Sequence, residues 1–237
     1  NEMINDVNHL TNTLIELYCY SECGIDQNGI SKLKFLKILD CGYNKKIRNV
    51  NHLADTLVEL YCGNGCDIDQ NGISKLKCLK KIYCHDNEKI IDLSHLKDTL
   101  EEVGCGWDCG INQKGISHLT QLKILDCTGN LKIFWVNFSA NTLEELICDG
   151  CDNISQSSIC KLKILKKISC YGCAKIKNVN HLQNTLEELY CASHCGIDQN
   201  GISQLKLLKI IDYTFNKKIN NVDHLEKTLK KIISGEK

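Results

Sequence analysis

Apolar residues recur along the chain as Leu-x-x-Leu-x-Cys, not with the 3.6-residue spacing of an amphipathic helix. Leu36-Lys37-Ile38-Leu39-Asp40-Cys41 returns at Leu79, Leu122 and Leu165, with starts 43 residues apart. A second, more acidic version sits between them: Leu57-Val58-Glu59-Leu60-Tyr61-Cys62, then copies starting at Leu100, Leu143 and Leu186. Leu14, Leu208 and Leu229 complete eleven starts, separated alternately by 22 and 21 residues. Helix amphipathicity cannot produce that register. Within each copy the alternation sends Leu39 and Cys41 inward and Ile38 and Asp40 outward, which predicts a short strand.

One coil carries about six inward apolar side chains, worth roughly 1.5 to 3 kcal/mol each when buried. Ordering costs about 1 to 2 kcal/mol per residue over the whole coil. A lone coil therefore does not fold, and stacked neighbours must supply the missing burial. The expectation is one quasi-one-dimensional domain over residues 1–237.

The repeated Leu-x-x-Leu-x-Cys, often followed by Asn or Cys and then Ile, resembles the leucine-rich repeat over essentially the whole chain. The resemblance implies an α/β solenoid: a horseshoe with a parallel concave β-sheet of about eleven short strands, and short helices, 3₁₀ turns or loops on the convex side. After the acidic version, residues 66–76 are similar to cysteine-containing repeats that turn into a short helix, with Asp69, Asn71 and Gly72 as capping and turn chemistry. After the other version, residues 44–53 are similar to shorter repeats with a 3₁₀ or irregular return. Residues 1–14 align without a gap on residues 44–57, so the chain is expected to be an N-terminally truncated fragment. Its Asn, Lys and Ile richness, with Arg48 the single arginine and no proline, is similar to leucine-rich repeat proteins of amoeba-infecting giant viruses or AT-rich protists.

Composition narrows the function. Across 237 residues, 29 basic side chains balance 29 acidic ones, which argues against a nucleic-acid surface. No apolar run approaches the length of a membrane span. The 17 cysteines form ladders: Cys19, Cys41, Cys62, Cys84, Cys105, Cys127, Cys148, Cys170 and Cys191 share one inward slot, and Cys23, Cys66, Cys109 and Cys195 a second. Free cysteine is a small buried hydrophobe, and the odd total and strand spacing disfavour disulfides, so an intracellular, cytoplasmic, reducing location is expected. Metal is the sharper alternative. Equivalent Cys-x-x-x-Cys pairs lie two coils apart, too far to share an ion, and only Cys148, Cys151, Cys170 and Cys173 sit on adjacent coils.

His9, His52, His95, His181 and His224 recur every 43 residues and read as repeat consensus on the outer side. Asn44, Asn87, Asn130 and Asn216 read as internal pairing devices for loop backbone. No unique Ser, His and Asp constellation and no Gly-rich phosphate loop stands out, so no enzymatic activity, cofactor or metal is expected.

That leaves the outward slots. The third slot reads Glu16, Ile38, Glu59, Lys81, Glu102, Ile124, Glu145, Lys167, Glu188, Ile210 and Lys231. The fifth reads Tyr18, Asp40, Tyr61, Tyr83, Gly104, Asp126, Ile147, Ser169, Tyr190, Asp212 and Ile233, with Tyr20, Tyr43, Trp107, Tyr171 and Phe215 just beyond. Amphipathic aromatics among carboxylates on a rigid surface are interface anchors. The expected function is a non-enzymatic scaffold binding a protein or peptide on this face, with no nucleic-acid or membrane partner. Alternatives are the substrate-recruiting part of an F-box ubiquitin-ligase adaptor, which needs further N-terminal sequence, and a zinc-binding or spacer solenoid. Phe134, Trp135 and Phe138 depart from the consensus and mark either a second contact patch or packing compensation for Ser139 in a leucine slot.

Overall fold

The computed structural model describes residues 4–21 and 23–235; the ends of the chain, where the fragment reading begins, lie outside the described residues. The chain forms two compact units, Asn1–Gln121 and Leu122–Lys237. In the sequence the repeat register passes through the boundary with the usual 22-residue step from Leu100 to Leu122.

The first unit holds strands β1 (Glu16–Tyr18), β2 (Ile38–Asp40), β3 (Glu59–Tyr61), β4 (Lys81–Tyr83) and β5 (Glu102–Gly104). They pair in parallel and in chain order, so that Glu16, Ile38, Glu59, Lys81 and Glu102 stand side by side. The return paths alternate helices α1 (Gln27–Ile30), α2 (Gln70–Ile73) and α3 (Gln113–Ile116) with 3₁₀ turns at Asn8–Leu10, Asn51–Leu53 and Ser94–Leu96. In the second unit β6 (Ile124–Asp126), β7 (Glu145–Ile147), β8 (Lys167–Ser169), β9 (Glu188–Tyr190), β10 (Ile210–Asp212) and β11 (Lys231–Ile233) pair in the same way. Its returns carry α4 (Gln156–Ile159), α5 (Gln199–Ile202) and 3₁₀ turns at Asn137–Ser139, Asn180–Leu182 and Asp223–Leu225. The acidic strands are thus followed by α-helical turns and the others by 3₁₀ turns, as the resemblance implied.

Coil α2 shows why the return path folds this way. The Asp69 carboxylate caps the helix by accepting from Gly72 N at 2.8 Å. A Cβ on Gly72 would lie 2.2 Å from Arg48 O, so this position admits the preceding coil's backbone only if it has no side chain. Gln70 grips the following coil: its Oε1 accepts from Ile91 N and Asp92 N, and its Nε2 donates to Asp92 O at 2.8 Å. His95 Nε2 stands 3.1 Å from Ile73 O and donates to it, closing the C-terminal end of the helix. Gln27, Gln156 and Gln199 repeat the grip, and His52, His181 and His224 repeat the closure. The sequence pattern showed the histidines recurring but not what they bind, and the glutamines went unnoticed.

The buried asparagines are the pairing devices expected. Asn87 Nδ2 donates to Cys62 O and Ile68 O at 2.8 and 3.1 Å, and its Oδ1 accepts from Lys89 N. Asn44 and Asn216 do the same in their coils. Where α4 carries Ser158 in place of glycine, the hydroxyl is buried and donates to Phe134 O at 2.6 Å. Asn137 keeps the bracket that Asn51 makes, donating to Ser157 O.

All seventeen cysteines are free thiols, and fourteen are buried; Cys23 is half-buried, while Cys78 and Cys160 are exposed. Several sulfur pairs meet diagonally between neighbouring coils and not along either ladder. Cys84 to Cys109 and Cys170 to Cys195 are 3.5 Å apart, Cys41 to Cys66 is 3.8 Å and Cys148 to Cys173 is 4.0 Å. Strand spacing alone, which compares rungs of one ladder, understates how closely these thiols meet. Burial raises Cys62 and Cys191 well above the ordinary thiol value and pushes Cys19 up to about 12, keeping them protonated. Among the described residues no three His, Cys, Asp or Glu side chains are placed to hold a metal ion. No described helix is long and apolar enough to cross a membrane.

Asn87→Ala leaves two carbonyls and one amide without partners, and denaturant titration is expected to show a loss of about 2 to 3 kcal/mol. Native thiol labelling is expected to modify Cys78 and Cys160 fast and the fourteen buried cysteines only on unfolding, read by mass spectrometry of the labelled peptides.

Candidate strand-face interaction site

In the first unit the outward slots converge into two rows. Glu16, Ile38, Glu59, Lys81 and Glu102 form one, and Tyr18, Asp40, Tyr61, Tyr83 and Gly104 the other, each residue beside its neighbour through the strand register. Tyrosine hydroxyls tie the rows together: Tyr18 donates to Glu16 and Tyr61 to Glu59, both at 3.1 Å, and Tyr83 reaches Glu102 at 3.5 Å. Lys81 Nζ lies between two carboxylates, 3.2 Å from Glu102 and 3.8 Å from Glu59. The Tyr61 and Tyr83 rings stack with centroids 5.2 Å apart and planes 9° from parallel. Gly104 makes room for this, since a Cβ there would meet Tyr83 Cδ1 at 2.4 Å and His85 Nε2 at 2.6 Å.

The electrostatics follow from these contacts. Burial, then the bond to Glu59, pushes the Tyr61 phenol up to about 12; burial, then the charge of Glu102, does the same for Tyr83. The bond to Glu102 holds Lys81 above its ordinary value. Tyr61, Tyr83 and Lys81 therefore keep their protons at neutral pH.

The second unit is arranged differently. Lys167 Nζ bonds Glu145 Oε1 at 2.6 Å and lies 6.0 Å from the centre of the Tyr190 ring, whose hydroxyl donates to Glu188. Ile124, Asp126 and Ile210 are half-buried in their outward slots. Asp212, also in an outward slot, is only 7% exposed because the Tyr171 hydroxyl reaches across and donates to it. Burial, with that bond, raises the Tyr171 phenol far above its ordinary value. Neither Tyr171 nor Asp212 offers a free polar tip. Phe134 and Trp135 are exposed on the return path, whereas Phe138 is half-buried.

Three exposed aromatics sit in turns with left-handed backbone: Tyr43 (φ 60°), Trp107 (φ 54°) and Phe215 (φ 58°). The equivalent turns elsewhere carry Ser21, Asn64 and Asp86 at φ 54–56° and Gly129, Gly150 and Gly172 at φ 67°, 69° and 71°. This left-handed position is held in most other coils by glycine or by small polar residues, so a bulky aromatic side chain is kept there against a cost of about 1 to 2 kcal/mol. Trp107 is nevertheless 60% exposed and Phe215 70%. Trp107→Gly is expected to raise stability by about 1 kcal/mol in equilibrium denaturation, and Trp107→Ala to leave it nearly unchanged.

No protein-family model matches the chain, and no curated protein matches it significantly in sequence. Solved structures do. A chain in the crystal structure of the Rad7 and Elc1 complex in yeast is similar with a TM-score of 0.61, covering 92% of this chain and 74% of that one at 14% identity. The functional domain of InlJ from Listeria monocytogenes, which includes a cysteine ladder, matches with a TM-score of 0.42, covering 78% of this chain and 51% of that one at 21% identity. At such identity the likeness to the yeast structure speaks for the fold alone: eleven parallel strands with short helical and 3₁₀ returns, the architecture of leucine-rich repeat solenoids.

Proposed function

We propose that the chain is a non-enzymatic scaffold whose coils act together as one binding domain, holding a protein or peptide against the outward rows of its strands. The observation that carries this reading is the registered pair of rows in the first unit, where Tyr61 and Tyr83 stack and the carboxylates beside them accept tyrosine hydroxyls. Those side chains contribute little to the core, which the inward Leu, Ile and Cys slots fill. Flat aromatic area that is already ordered loses little entropy on association. Trp107, exposed in the turn just after β5, adds a further aromatic side chain at the strand exits. The similar yeast structure contains its chain in a complex with another protein, which agrees with such a role without defining this chain's partner.

Proximity labelling and pull-down with wild type against a Tyr61→Ala/Tyr83→Ala/Trp107→Ala variant test the proposal. The variant is expected to remain folded by circular dichroism and to lose the principal partner by about tenfold or more. An unchanged partner list would remove the strand face from consideration.

A further inference from the structure

The first unit places a residue between two glutamates twice, two strands apart, and the residue between them differs. On β4 Lys81 stands between Glu59 and Glu102, pairing closely with Glu102 and more distantly with Glu59. On β2 the equivalent slot is Ile38, between Glu16 and Glu59. The flanking carboxylates are present, each accepting a tyrosine hydroxyl, and Asp40 adds a third from the neighbouring row. Among the described residues no lysine or arginine pairs with Glu16 or Asp40. We infer that a lysine- or arginine-rich peptide segment docks on this face and sets one of its cations over Ile38, where the chain's own ammonium is missing from the repeat. This rests on the interaction reading above and names the chemistry of its partner.

The chemistry of the position fits such a side chain along its length. Half-buried Ile38 provides an apolar floor for the methylene stem. In the neighbouring row Tyr18 and Tyr61 stand on either side of Asp40, so aromatic rings lie close to where a cation would sit. The Tyr18 phenol is held above its ordinary value first by the bond to Glu16, and further by the charges of Glu16, Glu59 and Asp40, so all three carboxylates act on one spot. The outward rows of β1–β5 hold four carboxylates and one ammonium, and that ammonium is already engaged. Charge complementarity therefore selects a cationic guest and repels an acidic one. In the second unit the corresponding slot between Glu145 and Glu188 is filled by Lys167, as it is by Lys81 here.

The test uses the full chain and fluorescein-labelled dodecapeptides: one bearing alternate arginines, one with glutamate in their place and one uncharged, read by anisotropy. The arginine peptide is expected to bind, more weakly as salt is added, and the other two not. Ile38→Lys supplies the missing ammonium from within and is expected to weaken binding about tenfold without loss of fold, because Lys81 already occupies the equivalent slot. Lys81→Ile opens a second vacancy and is expected to strengthen binding severalfold. Failure of the arginine peptide to bind, or indifference to Ile38→Lys, overturns the inference. A random dodecapeptide library separates this from failure of the broader reading. Uncharged or acidic peptides enriched by wild type but lost in the Tyr61, Tyr83 and Trp107 variant sink the cationic guest and keep the binding face, whereas no enrichment that depends on those residues sinks both.

Discussion

The return path of each coil exposes backbone amides and carbonyls that its own short helix or 3₁₀ turn cannot satisfy, and only the adjacent coil is close enough to pair them. Everything else in the molecule depends on that reciprocity. Asn87 reaches back to Cys62 O and Ile68 O, Gln70 reaches forward to Ile91 and Asp92, and His95 closes the helix behind it. Gly72 lets the preceding backbone in to contact distance. Because each device spans one coil boundary, stability accrues coil by coil, and a break at one boundary weakens two coils without dissolving the rest.

With the inward slots committed to packing and the returns to pairing, variation is left to the outward slots and the strand-exit turns. That is where the two units differ most. The first presents stacked tyrosines over a row of carboxylates, while the second ties up Asp212 beneath Tyr171. The same backbone supports both because none of these side chains carries the core.

Much of this was readable from residue order. Leu39 and Cys41 inward, Ile38 and Asp40 outward, and the alternation of helical with 3₁₀ returns all follow from a strict period, which is a one-dimensional property. What escaped was set by the axial offset between coils. The diagonal meeting of Cys84 with Cys109 joins residues 25 apart, and neither ladder taken alone reveals it. The reach of Tyr171 to Asp212 crosses two strands and depends on side-chain length, not on slot. Ser158 donates to Phe134 O where other coils carry glycine, a contact between coils that residue order alone does not show. Phe134 and Trp135 remain at the surface of this coil.

The recurrence of Glu16, Glu59 and Glu102 on alternate strands gives the first unit a near-translational symmetry of about 9.5 Å. A surface that maps onto itself under a short shift offers any elongated guest several equivalent berths, and residence at one of them is then degenerate. Ile38 against Lys81, and Tyr61 against Gly104, are the marks that lift the degeneracy. Gene duplication supplies such a sheet with area cheaply; orientation of what lies on it has to come from the few places where the copies have ceased to be identical.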